Sequence, residues 1–190
     1  MRLGYRAAAG AAALAFTFSA STLAGGSTAP ESHPHHTVAL KRVSSVVAVP
    51  QRIFPLLGEP QYGDGLDAGR GHEGQDLLIA AGTPIVAVAD AVVLETGNDG
   101  GRGNYISIYD RTANRTYNYF HMLEPALARQ GQHVRIGQRL GEVGCTGSCW
   151  GDHLHFELRA GRSTYGPLLN PTPFLHQLED QPNPLTDIHL

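Results

Sequence analysis

From Arg52 onward the chain is a succession of short apolar runs cut by turn residues. Leu77-Leu-Ile79 is followed by Ile85-Val-Ala-Val-Ala89 and, after a tight turn at Asp90, by Ala91-Val-Val-Leu94. Tyr105-Ile-Ser-Ile-Tyr109 alternates about its serine, and Thr116 to Phe120 alternates again. Val134-Arg-Ile136 and Leu140-Gly-Glu-Val143 are flanked by Gly137, Gly141 and Gly144, and His153 to Leu158 completes the set. Short runs of period two between glycine-rich turns predict an antiparallel all-β domain. Leu123 to Gln130 is the one stretch with a helical pattern, about two turns long. The tail from Gln177, broken by Pro182 and Pro184, predicts a mobile end.

The first fifty residues follow a different pattern. Arg2 and Arg6 precede a small and apolar run from Ala7 to Leu23, and no acidic residue occurs before Glu31. A basic start followed by an apolar run predicts a secretory signal peptide over residues 1–24, cleaved after Ala24. The run is alanine-rich and interrupted by Thr and Ser, which suits a spanning helix poorly. The expected location is outside the cytoplasm (secreted, in the cell wall or periplasm), with no stable membrane span after cleavage. Residues 25–50 read as a linker or short pro-segment, with a short strand at Ser45–Val49. The cluster His33, His35 and His36 within it reads as the compositional bias of a solvated linker. This leaves 51–176 for one domain and 177–190 for the tail.

Composition narrows the partner. Hydrophobic residues at 42% support a packed core, and 190 residues allow one ordinary domain with appendages. The formal charge is -3 and no basic run occurs, which argues against a nucleic-acid partner. Ten histidines in so short a chain direct attention to metal chemistry.

Three segments carry it: Gly71-His-Glu-Gly-Gln-Asp76, Tyr119-Phe-His121 and Asp152-His-Leu-His-Phe-Glu157. On a strand, residues two apart share a face, so His153 and His155 project side by side while Leu154 and Phe156 face a core. Gly71 and Gly74 disfavour a helix, placing His72 and Asp76 on a loop that enters a strand. Two histidines and a carboxylate suit Zn²⁺, and a catalytic zinc site uses three protein ligands with one open position. His72, Asp76 and one histidine of the pair fill that quota. Glu157 shares the face of His155, either as a hydrogen-bonding support or as a solvated strand residue. His133, His176 and His189 read as surface positions. Cys145 and Cys149, separated by a glycine-containing turn, are expected to pair as a disulfide in an exported chain, with free thiols or a metal pair as the alternatives.

Taken together, these segments resemble the lysostaphin/LytM family of zinc endopeptidases, which act on bacterial peptidoglycan. The likeness runs from about Arg52 to Leu175 and includes Phe54-Pro55, Gly82-Thr-Pro-Ile-Val-Ala87, Gly103-Asn-Tyr105, Gly131-Gln-His-Val134 and Asn170-Pro171. It departs from the family pattern at Asp152, where Pro is common, and at the two cysteines. The resemblance implies an all-β sandwich with a groove that holds one zinc ion. It implies His72, Asp76 and His155 as the metal ligands, His121 and His153 as catalytic histidines, and a peptidoglycan peptide as substrate. Two other functions remain compatible: a non-catalytic relative that activates another wall hydrolase, and a secreted endopeptidase acting on glycine-rich proteins.

Overall fold

The computed structural model describes residues 51–69, 71–181 and 185. The expected signal peptide, the linker with its histidine cluster and the strand at Ser45–Val49 lie outside the described residues, as does His189. Ten strands and one helix follow in order: β1 (Gln61–Tyr62), β2 (Gln75–Leu78), β3 (Pro84–Val86), β4 (Ala91–Asp99), β5 (Gly103–Asp110), β6 (Arg115–Met122), β7 (His133–Val134), β8 (Arg139–Glu142), β9 (His153–Ala160), β10 (Leu168–Leu169) and α1 (Thr172–Glu179). The main sheet has the order β1-β2-β9-β6-β5-β4-β7, with β10 also on β9. Its pairs are antiparallel, as the alternating runs predict. β3 and β8 form a separate two-stranded sheet, so the turn at Asp90 carries the chain from one sheet to the other.

Alternation decides what each face of the main sheet carries. Leu77 of β2, Leu154 and Phe156 of β9, Tyr117 and Tyr119 of β6 and Ile106 and Ile108 of β5 are fully buried. They share one core with Ile85 and Leu140 of the small sheet and with Leu175 and Leu178 of α1. Each such Leu, Ile or Phe side chain contributes about 1.5–3 kcal/mol when buried. The intervening residues of β9 (His153, His155, Glu157 and Arg159) are also buried, on the opposite face. A buried row of this kind must be internally paired, since an unpartnered charge or imidazole would lose its hydration without return.

Asp110 ties the entry of the domain to this sheet. Its Oδ1 accepts from the Thr112 and Ala113 backbone N–H groups and the Thr112 hydroxyl, closing the β5–β6 turn. Its Oδ2 accepts from Arg52 Nε and Nη2 at 3.0 and 2.7 Å.

Two elements differ from expectation. Leu123–Gln130 forms no helix: Pro125 has no N–H to give, and Leu123 and Leu127 donate instead to Glu142 and Leu140 across on β8. The second is α1, which runs through the boundary drawn at 176/177. Pro lies at its N-terminus and Leu175 and Leu178 share its buried face, so the domain continues to Glu179.

Candidate metal centre

The three central strands of the site, β2, β9 and β6, are neighbours. Asp76 stands directly opposite His155 in the β2–β9 register, and Phe120 stands opposite His155 on the other side. Directly paired residues have Cβ atoms about 4.5–5.5 Å apart, so register alone delivers the Asp76 carboxylate to the His155 ring. The Phe120 ring stacks on that of His155, centroids 5.3 Å apart and nearly parallel. His72 comes from the loop before β2, which folds back so that Asp67 N–H donates to His72 C=O and His72 Nδ1 donates to Gly65 C=O at 2.9 Å.

The result is a triangle of electron-rich atoms. His72 Nε2, Asp76 Oδ1 and His155 Nδ1 lie 3.1, 2.9 and 2.9 Å from one another. Among the described residues, they are a group able to hold a metal ion. The protonation of each imidazole is set from behind. A carbonyl only accepts, so the His72 proton sits on Nδ1, facing Gly65. His155 Nε2 faces Glu157 Oε1 at 3.4 Å, which leaves its Nδ1 for the triangle. A proton satisfies one edge of such a triangle, whereas a cation satisfies all three corners. Tetrahedral ligands on arms of about 2.0–2.1 Å would stand about 3.3 Å apart, so these residues fit zinc with little movement. Burial opposes ionisation of Asp76, but the contact with His155 and the neighbouring histidine charges outweigh it and hold the carboxyl below its usual range.

Behind the triangle lies a buried charge network. Glu157 Oε2 accepts from Asn118 Nδ2 at 2.6 Å and from Arg159 Nε at 3.0 Å. Arg159 Nη2 also reaches Glu73 at 2.7 Å, fastening the His72 loop to β9. Burial works against the Glu157 carboxylate, and the contacts with His155, Asn118 and Arg159 overcome this and keep its pKa low. Glu157 is therefore not a solvated strand residue. Arg159 and Asn118 escape a motif-based reading, although the period-two row His153, His155, Glu157, Arg159 is visible in the sequence. Gly74, which from sequence reads only as a helix breaker, has a steric task. A Cβ there would lie 2.7 Å from His155 Nε2 and 2.6 Å from Phe156 O.

The other two histidines border the triangle. The His153 ring centroid is 4.8 Å from that of His121, and His153 Nε2 is 3.6 Å from Asp76 Oδ1. His121 does not arrive by strand alternation. Its parity matches Tyr119, which faces the core. An irregularity in the β5–β6 register between Asn104 and Ile106, with His121 at φ 62°, turns the ring to the other face. Such a left-handed conformation costs a non-glycine residue about 1–3 kcal/mol, and a bulge is the usual way a sheet re-aims a side chain. His121 N–H donates to Arg102 C=O at 2.8 Å, and its Nδ1 donates to Thr146 C=O at 2.8 Å. Burial, partly offset by Thr146, pushes the His121 pKa down to about 4. His153 Nδ1 donates to Gly151 C=O at 2.7 Å. Cys145 and Cys149 form a disulfide, with Cα atoms 5.4 Å apart, in the loop that supplies both carbonyls.

His72, Asp76, His121, His153, His155 and Glu157 line one cleft of ≈ 350 Å³, together with Arg102, Ser148 and Trp150. Trp150 is 93% exposed on its wall. A larger hollow of ≈ 560 Å³ lies by β4 and β7 and includes His133, but gathers no comparable ligand set. His133 and His176 are exposed and remote from the cleft lining.

The profile of peptidase family M23 matches residues 70–167, which span both halves of this centre. The chain belongs to peptidase family M23. Among its relatives, the peptidoglycan DD-endopeptidase ShyC of Vibrio cholerae is 34% identical over 117 residues, covering 62% of this chain and 24% of that protein. The glycyl-glycine endopeptidase ALE-1 of Staphylococcus capitis is 32% identical over 120 residues, 62% of this chain and 32% of that one. The chain thus spans about a quarter to a third of the length of these relatives. The catalytic domain of the antimicrobial peptidase lysostaphin from Staphylococcus simulans superposes with a TM-score of 0.55 at 29% identity, covering 62% of this chain and 92% of that domain. The mainly antiparallel β architecture is therefore that of the lysostaphin/LytM-type M23 peptidases.

Proposed function

We propose that this M23 chain is an exported zinc metalloendopeptidase that hydrolyses peptide bonds of peptidoglycan, in stem peptides or cross-bridges. The observation that carries the proposal is the convergence of His72 Nε2, Asp76 Oδ1 and His155 Nδ1 within 3.1 Å, with Gly65 C=O and Glu157 Oε1 behind the two rings to take their other N–H. These three residues would hold one zinc ion. Zinc, when bound, supplies Lewis acidity that polarises a carbonyl and makes water nucleophilic near neutral pH. His121 and His153 each donate Nδ1–H to a backbone carbonyl, so each presents Nε2 to the cleft as a proton acceptor. His121, kept neutral by burial, takes a proton from the attacking water. His153, beside Asp76, orients the same water through Nε2, and the proton taken up by His121 is passed on to the leaving amine. Retention of the ligand set together with both histidines favours catalysis over an activator role. The likeness to the peptidoglycan DD-endopeptidase ShyC supports peptidoglycan as substrate and, with it, a location outside the cytoplasm. Nucleic acid is no partner in this reading, and among the described residues no helix is long and apolar enough to cross a membrane.

The test is zinc analysis together with muropeptide release from purified peptidoglycan, read by mass spectrometry. His155→Ala should lose both metal and release, and His121→Ala should lose release while keeping one zinc per chain. Full activity in His155→Ala would overturn the ligand assignment. A glycine-rich polypeptide digested in parallel decides between wall peptides and glycine-rich proteins as the preferred substrate.

A further inference from the structure

Asp76 and His155 are fixed by sheet register and His72 by the loop that enters β2, whereas the rings of both remaining histidines are oriented by carbonyls of one short loop. Thr146 C=O fixes the His121 ring and Gly151 C=O fixes the His153 ring. The loop is closed at its base by the Gly144–His153 bridge and cinched by the disulfide between Cys145 and Cys149. Cys149 Sγ lies 3.8 Å from His153 Nδ1. Inside the cinch, the Thr146 hydroxyl donates to Met122 C=O at 2.7 Å and accepts from Asn104 N–H at 2.9 Å, pinning the loop to β5 and β6. Ser148 N–H adds a bond to Gly101 C=O at 3.0 Å. Gly103 and Gly147 meet back to back, both at positive φ, where a Cβ on Gly147 would lie 2.2 Å from Gly103 N. Cys145 is exposed, so a dissolved thiol reaches the bond.

We infer that the Cys145–Gly151 loop is the positioning element for His121 and His153, that Thr146 is its key residue, and that the Cys145–Cys149 disulfide is the lock that gives the pair its working geometry. The inference rests on the peptidase reading above. Without the cross-link the segment regains backbone freedom and the two carbonyls no longer hold the imidazoles in one orientation. Reduction is an ordinary exchange. A thiolate of a dithiol attacks one sulfur, the Sγ–Sγ bond breaks, and the second thiol displaces the mixed disulfide. Cys145 and Cys149 end as thiols, and the two electrons come from the reagent, which leaves as its own cyclic disulfide. The chain therefore reaches full turnover only where its disulfide is oxidised, which matches export to an oxidising compartment.

The experiment uses the zinc-loaded full chain in three forms: oxidised, reduced by a dithiol then alkylated and freed of reagent, and the Cys145→Ser/Cys149→Ser variant, which meets no reagent. Each is assayed for zinc content, kcat and KM of muropeptide release, and the imidazole N–H resonances of His121 and His153. The expected result is a kcat lower by about tenfold or more, KM within about twofold, one zinc retained, and loss of the two Nδ1–H resonances by exchange. Reoxidation of unalkylated protein should restore all of these. Thr146→Val should reproduce the kcat loss with the disulfide intact, and Thr146→Ser should rescue it. Unchanged kcat and resonances on reduction would overturn the inference, and so would zinc loss that accounts for the fall in kcat. If no form releases muropeptides, the peptidase reading fails. The resonances still decide the positioning role in that case.

Discussion

The cleft is built in two ways on its two sides. On one side Asp76 and His155 are set by strand register, His72 by a loop fastened to β9, and all three are backed by a buried network of Glu157, Arg159 and Asn118. On the other, His121 is turned in by a bulge and an unfavourable φ, and the rings of His121 and His153 are oriented by two carbonyls of a cross-linked loop. The first arrangement shares its stability with the sheet core, and disturbing it means disturbing β9. The second can be loosened without unfolding anything, because its contacts are local. In the proposed reading, the metal would be held by the part of the site tied to the sheet core, and proton transfer would fall to a part that can be adjusted.

The sharpest way to break this division is at the ligands. Asp76→Ala should abolish metal binding and with it all muropeptide release, whereas His153→Ala should abolish release with metal retained. Equal metal loss in both would merge the two sides into one. A smaller effect is expected one shell out. Glu157→Gln removes the carboxylate facing His155 Nε2 and should weaken zinc affinity about 10–100-fold in chelator competition, with His121 resonances unmoved.

Acid divides the two sides differently. The His121 pKa, pushed down to about 4 by burial, lies below that of a free imidazole. The folded state thus binds fewer protons there, and stability is lost as pH falls from about 6.5 toward 4. Down to about pH 5 the ring stays neutral, so activity lost there should accompany zinc release, as protons compete for the ligand histidines, and excess zinc should restore it. A fall in activity at full zinc occupancy would contradict this.

Gly74→Ala comes next. Its Cβ would press on the His155 ring and Phe156 O, costing about 1–3 kcal/mol of stability by thermal melting and loosening the metal side only. Asp110→Asn tests a site outside both. It should cost about 1–3 kcal/mol at neutral pH by removing the charged partner of Arg52. Burial opposes Asp110 ionisation, but Thr112, Arg52 and the Ala113 N–H keep its pKa depressed. Its stabilisation is present above the ordinary carboxylate range and fades as pH falls through the depressed value. The difference from wild type should shrink below about pH 4, with zinc affinity unchanged throughout.

The same contrast explains what could be read beforehand. The row His153, His155, Glu157, Arg159 follows period two without interruption, so its common face is legible from sequence, and the apolar run after Asp76 places that carboxylate on a strand. The orientation of His121 was not legible from period, because the bulge reverses its parity; the segment Tyr119-Phe-His121 stands out in the sequence, but its catalytic role comes only from the family resemblance. Leu123–Gln130 has the composition of a helix, yet its N–H groups bond to β8, a choice made by tertiary neighbours. α1 left a signal in Pro173 with Leu175 and Leu178, but one turn-sized repeat is too short to separate from an exit loop. The carbonyls of Thr146 and Gly151 are backbone groups, which no residue pattern announces.

One exposed side chain gives this cleft an optical handle. Trp150 is the single tryptophan in the chain, and it sits between Cys149 and Gly151 on the cleft wall. All indole fluorescence therefore originates beside the disulfide and the His153 carbonyl partner, with none from the core. Emission intensity and colour report the wall of the cleft in real time, so the oxidation of the loop and any binding of the proposed peptidoglycan substrate can be followed on unlabelled protein.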